Sequence, residues 1–212
     1  MNLLRYDTPK GILAFSTGRD CGVEALGLKL EDLALPRQVH SSNVLWMREA
    51  GRPDKTDAVI TDVPELCVCV KTADCIPVLL YDTHRRVVAA AHAGWRGTVS
   101  RIVVNTLEQM GSVPSDVHAI IGPGISQEAF EVGDEVYQTF LDAGFPMEQI
   151  AVHREKWHLD LWHANAWLLE QWGVSDIYIA GECTYKETDR YYSARRETIN
   201  TGRNLNGIML IP

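Results

Sequence analysis

The feature that most constrains how this chain can fold is a train of short apolar segments in its first half. Gly11 to Ser16, Val44 to Met47, Asp57 to Thr61, Leu66 to Lys71, Ile76 to Tyr81 and Arg86 to Ala93 are apolar or alternating runs of strand length. Turn-forming stretches such as Gly51-Arg52-Pro53-Asp54 separate them. In Leu66-Cys67-Val68-Cys69-Val70, a period of two puts both cysteines on one face and the aliphatics on the other. That pattern makes Cys67 and Cys69 core residues of a strand.

Helical spacing begins only after Gly97. Val99, Ile102, Val103, Leu107 and Met110 recur every three or four residues, and Gly111 ends the run. A second helix is expected over Asp134 to Ala143 with Gly144 as its stop, and a third over Leu159 to Trp172 before Gly173. The aromatic-rich stretch Trp157, His158, Trp162, His163, Trp167 and Trp172 reads as helix packing. Val117 to Ile121, Asp176 to Ala180 and Ile208 to Ile211 add strands. Strands cluster first and helices interrupt later, which predicts a mixed α+β fold. No repeat, linker or compositional break divides residues 1–212, so one domain is expected.

Charge narrows the function classes. The chain carries 28 acidic and 20 basic residues, a net charge of −8, which disfavours nucleic acid as a partner. The longest apolar run, Val87 to Ala93, is far short of a membrane span. The N-terminal stretch lacks the pattern of a signal peptide. Five cysteines form an odd set without disulfide-framework spacing, so a reducing, cytoplasmic setting is expected.

Three segments concentrate reactive side chains: Arg37-Gln38-Val39-His40, Thr72-Ala73-Asp74-Cys75 and His92-Ala93-Gly94-Trp95-Arg96-Gly97. Each falls at a strand end or a strand-to-helix turn, where a rigid scaffold can present side chains to a cleft. Two imidazoles and a thiolate make a good zinc set, and three protein ligands leave a fourth position open, the pattern of a catalytic site. The same residues also read as hydrogen-bonded core histidines and a small buried thiol. Asp74 suits a general acid/base or, equally, a turn cap. The Gly94 to Gly97 turn and Arg96 can seat an anion or form a plain connection. Arg195, Arg196 and Arg203 form a basic cluster suited to phosphate or to surface ion pairing.

The blocks RQVHSSNV, DAVITDVPELCVCVKTADCIPVLLYD, VAAAHAGWRG, AIIGPGI and CTYKETDRYYSARRETINTGR, in this order, closely resemble one family. It is the family long labelled laccase-domain or multicopper polyphenol oxidase and now regarded as purine nucleoside phosphorylases with adenosine deaminase activity. The resemblance runs from about Gly11 to Arg203. It implies a sandwich of mixed sheets flanked by helices, and His40, Cys75 and His92 as ligands of one zinc ion and the catalytic centre. It implies inosine, adenosine and possibly methylthioadenosine as substrates with phosphate; independently of it, the chemistry of the Gly94 to Gly97 turn and of the basic cluster makes Arg96, Arg196 and Arg203 the residues expected to bind substrate. Two departures stand out: Ser41 occupies a position where the family usually has glycine, and the segment between Thr17 and Arg37 is short. Other readings of the same residues are a copper polyphenol oxidase, a thiol hydrolase of cell-wall precursors with Cys75 as nucleophile and His92 as base, and a zinc-holding binding module. A multicopper oxidase needs roughly ten histidines, commonly in His-x-His pairs. This chain has 7 histidines and no such pair.

Overall fold

The computed structural model describes residues 2–212, and every structural statement below concerns those residues. Two sheets lie face to face. The first runs in the order β1 (Leu3–Arg5), β2 (Ile12–Thr17), β14 (Asn204–Leu210), β6 (Cys67–Thr72) and β3 (Leu33–Ala34). The second runs β13 (Asp176–Ile179), β9 (Val117–Ile121), β7 (Ile76–Asp82), β8 (Val87–Ala93), β5 (Ala58–Thr61) and β4 (Val44–Trp46). Both are mixed: β3 pairs with β6 and β13 with β9 in parallel, whereas β7 and β8 form an antiparallel hairpin. The architecture is the mixed α+β single domain expected.

Period-two alternation explains the layering. Val59, Leu79, Tyr81, Val88 and Ala90 of the second sheet face Val68, Val70 and Ile208 of the first. Their neighbours Ile60, Val78, Leu80, Ala89 and Ala91 point the other way, onto the helices. Those helices are α1 (Trp95–Val99), α2 (Ile102–Met110), α3 (Asp134–Asp142), α4 (Met147–Ile150) and α5 (Leu161–Trp172). The second sheet is covered on both faces, which is why β7 and β8 are buried along their whole length. Each fully buried Val, Leu or Ile there contributes about 1.5–3 kcal/mol. Cys67 and Cys69 sit with Phe15 and Met209 on the outer face of the first sheet, as core residues.

The structure departs from the sequence pattern at several points. α-Helix begins at Trp95, ahead of Gly97, and the run to Met110 is two helices, not one. Arg101 adopts a left-handed backbone, φ 60°, and breaks the ladder between α1 and α2 although the apolar spacing continues across it. Trp157 and His158 are not helical either. With Leu159 they form β12 (Trp157–Leu159), the centre of a small sheet between β10 (Glu131–Val132) and β11 (Ala151–His153). The helix begins later because Asp160 caps it, its carboxylate accepting the His163 N–H at 3.0 Å. The two-residue strands β3 and β10 are too short to carry a period and were not expected.

Candidate metal centre and its cavity

Three connections meet at one end of the sandwich. His40 lies on the chain between β3 and β4, Cys75 in the turn joining β6 to β7, and His92 near the end of β8. Their ligand atoms all lie within 4.8 Å of one another, and the His40 and His92 rings meet edge to face at 4.8 Å. Metal–ligand bonds of roughly 2.0–2.3 Å let a single ion reach donors spaced on this scale after small side-chain rotations. The set is borderline-soft, two imidazoles and a thiol, and it faces a cavity that leaves room for a further ligand. These residues therefore fit a metal ion.

Gly94 makes the convergence possible. A Cβ at this position would stand 2.8 Å from the Cys75 Sγ and 3.1 Å from the His40 Cδ2. Only a residue without a side chain lets the thiol and the imidazole close over the β8-to-α1 turn.

Asp57 organises the rest. It is fully buried immediately before β5 and accepts five hydrogen bonds. One oxygen takes the His92 Nδ1–H and the His40 backbone N–H, both at 2.9 Å. The other takes the N–H groups of Val39 at 3.1 Å and Ser41 at 2.8 Å, and the Ser41 hydroxyl at 2.7 Å. A carboxylate only accepts, so His92 must carry its proton on Nδ1, which leaves Nε2 free for a metal. The same carboxylate holds the loop that gives His40 its left-handed backbone, φ 61°. Ser41 uses its hydroxyl in a way glycine cannot.

Electrostatics follow the geometry. Burial pushes the Asp57 carboxyl up, but the bonds from His92 and Ser41 outweigh it and hold the group well below the usual carboxylate range. Burial likewise raises the Cys75 thiol, yet the His92 charge and the hydrogen bond from His40 bring it down to about 6. His92 moves up to about 9: burial opposes its charge, while Cys75 and Asp57 favour it.

The three side chains open onto a cavity of about 330 Å³, within the range of small-molecule sites. Arg37, Gln38, Lys71, Ala73, Ala194, Ile199 and Arg203 complete its lining. Among the arginines expected to bind substrate, only Arg203 is on that wall. Arg96 is exposed on α1, stacked 4.4 Å over the Trp95 ring, and does not line the cavity. Arg196 spends its guanidinium on the carbonyls of Thr184, Tyr185 and Tyr191 and on Glu197, so it ties a loop together. Arg195 donates to the Glu131 carbonyl and lies over Phe130. Asp74 is a turn residue: its carboxylate accepts the Thr184 hydroxyl and the Arg195 N–H, both at 2.7 Å.

Asp57, Gln38 and Lys71 were not anticipated as site residues. Asp57 had a signal, a lone carboxylate at the head of the apolar run DAVIT, because an ionised group in a buried strand must be partnered. Gln38 copies a strand neighbour, its amide donating to the Lys71 carbonyl and accepting the Lys71 N–H, each at 2.8 Å. No sequence pattern announces that pairing.

A family model described as multi-copper polyphenol oxidoreductase laccase matches residues 14–211. The chain belongs to this family. The purine nucleoside phosphorylase of Bacteroides thetaiotaomicron is 43% identical over 199 residues, 85% of this chain and 74% of that protein. Adenosine deaminase RL5, from an unknown prokaryotic organism, is 39% identical over 201 residues, 86% of this chain and 77% of its own. The solved structure of a Neisseria meningitidis protein superposes with a TM-score of 0.88 at 30% identity, covering 100% of both chains. YlmD from Geobacillus stearothermophilus gives a TM-score of 0.90 at 25% identity, over 100% of this chain and 97% of that one.

Proposed function

We propose that this chain is a zinc-dependent purine nucleoside phosphorylase that also deaminates adenosine, acting in the cytoplasm. The observation that carries the reading is the convergence of His40, Cys75 and His92 on the wall of one cavity, in a chain so similar to enzymes named for these two activities. In keeping with a soluble enzyme, no helix among the described residues is long and apolar enough to cross a membrane.

When bound, zinc supplies a Lewis acid that polarises oxygen and makes water acidic near neutral pH. His40, Cys75 and His92 would hold it, with Cys75 as the thiolate and Asp57 keeping the His92 proton on Nδ1. In deamination a water oxygen adds to the purine C6 and the C6 amine leaves as ammonia, giving inosine from adenosine. In phosphorolysis a phosphate oxygen bonds to the ribose C1′ while the C1′–N9 bond breaks. Its electron pair goes to the purine, which takes up a proton, and ribose 1-phosphate and the free base result. Ala73, Ala194 and Ile199 offer apolar contact for a base or ribose, and Arg203 charge for the phosphate.

The test is product analysis with adenosine for protein reconstituted with zinc or with copper. Inosine and ammonia in phosphate-free buffer, and adenine with ribose 1-phosphate once phosphate is added, are expected from the zinc form. Phenol oxidation by a copper-loaded protein that turns over neither nucleoside would overturn the proposal.

A further inference from the structure

The rest of the cavity lining around the His–Cys–His set has an unusual charge pattern. Arg37, Lys71 and Arg203 all line the cavity, and no carboxylate does, in a chain whose net charge is −8. Arg37 pairs with Asp54 at 3.0 Å, but both are largely exposed, where such a pair contributes little. Arg203 is fixed rather than neutralised. Its guanidinium donates to the carbonyls of Thr201, Gly202 at 3.0 Å and Ile199 at 2.6 Å, all uncharged acceptors. Lys71 is held through its backbone by Gln38, and its half-buried ammonium makes no hydrogen bond or ion pair among the described residues. Burial, and then the charges of Arg52, Arg203 and Arg37, push the Lys71 pKa down, a sign that these cations feel one another. Uncompensated like charges in a half-enclosed cavity disfavour the folded state, and a bound anion offsets that cost.

We infer that Lys71 and Arg203, with Arg37 at the rim, form the seat of a tetrahedral oxyanion, filled by inorganic phosphate during turnover. The inference rests on the reading of this cavity as a nucleoside phosphorylase site. A nucleoside is neutral, so of the two co-substrates only phosphate compensates these charges. Unlike Arg196, Arg203 lines the cavity and its three carbonyl bonds leave the Nε–H and one Nη2–H, which with the unpaired Lys71 ammonium can hold it. Because the cations and the metal-ligand set line the same cavity, an anion held here shares that space with a nucleoside, whose ribose it would attack.

The decisive variant is Lys71→Met in the zinc-loaded enzyme, because the lysine side chain has no protein partner to lose. Its KM for phosphate in inosine phosphorolysis should rise by about 10–100-fold, the size of a lost charge-assisted contact. The KM for inosine should move far less, and Lys71→Arg should restore most of the loss. Phosphorolysis at fixed phosphate should fall more than phosphate-free deamination of adenosine. Isothermal titration of inorganic phosphate into the zinc-loaded proteins reads the site without turnover, and binding should weaken by the same factor. A Lys71→Met protein with wild-type phosphate KM and phosphate affinity overturns the inference. So does a phosphate ester used as substrate, inosine 5′-monophosphate, whose KM alone rises in the variant. Phosphate binding that depends on Lys71 in a protein without phosphorolysis would uphold the anion seat and sink the enzymatic reading instead.

Discussion

Replacing Asp57 by asparagine should damage the site more than any other isosteric change. The amide keeps one acceptor and turns the other oxygen into a donor. If its oxygen stands at the Oδ1 position, the backbone N–H groups of Val39 and Ser41 lose their acceptor, while the Ser41 hydroxyl can turn and accept from the amide; if at Oδ2, the His40 N–H and the Nδ1–H of His92 in its metal-binding tautomer lose theirs. Two donors are therefore stranded whichever way the amide turns. Hydrogen bonds to charged groups contribute about 1.5–3 kcal/mol each, and the losses are not additive. Breaking a buried charged partnership costs about 3–5 kcal/mol in all. At roughly 2–4 °C per kcal/mol for a chain of this length, Tm should fall by about 6–20 °C. Zinc affinity should fall by about 10–100-fold, as for other partners that orient metal-bound histidines. Circular dichroism melting of the metal-free protein reads the first effect and chelator competition the second. An asparagine variant that melts within about 2 °C of wild type and binds zinc equally well would refute the role given to Asp57.

Other perturbations separate the parts of the account. Cys75→Ala should abolish turnover of both nucleosides yet melt cooperatively, since the two sheets and their helices supply a core independent of the metal; a variant that is unfolded by circular dichroism would make the metal structural. Gly94→Ala should weaken metal binding at least about tenfold, because its methyl group would meet the Cys75 Sγ at 2.8 Å; unchanged affinity by chelator competition would show that the turn yields freely. In the metal-free protein, alkylation of Cys75 should rise with pH around a midpoint of about 6, as the thiol becomes thiolate, and level off above it. Zinc should suppress that labelling, and equal rates with and without metal would favour Cys75 as a nucleophile instead.

How much of this was legible in the sequence depended on range. Strands such as β7 and β8 were readable because burial on both faces leaves continuous apolar runs, and α3 and α5 because glycines at 144 and 173 mark where they end. The helix break at Arg101 was hidden, since a single left-handed residue leaves the apolar spacing intact. Trp157 and His158 looked helical because aromatic spacing does not distinguish a short strand from the first turn of a helix. Residue chemistry marked His40, Cys75 and His92 only weakly as a candidate ligand set and family resemblance marked them firmly, because they are spread over distant segments that the topology brings together. The basic residues were the least legible. An arginine beside a glycine turn and an arginine cluster both look like phosphate sites, yet Arg96 stacks on Trp95 and Arg196 binds carbonyls. Lys71, inside an apolar strand segment, drew no notice until Gln38 and the loop carrying Arg203 closed around it.

The central claim is tested most directly by incubating the zinc-loaded protein with inosine, with and without inorganic phosphate, and quantifying free base and ribose 1-phosphate. The account predicts that hypoxanthine appears only when phosphate is present, matched one to one by ribose 1-phosphate, and that chelation stops both. Hypoxanthine released with free ribose in the absence of phosphate, or no turnover of inosine at all, would contradict it.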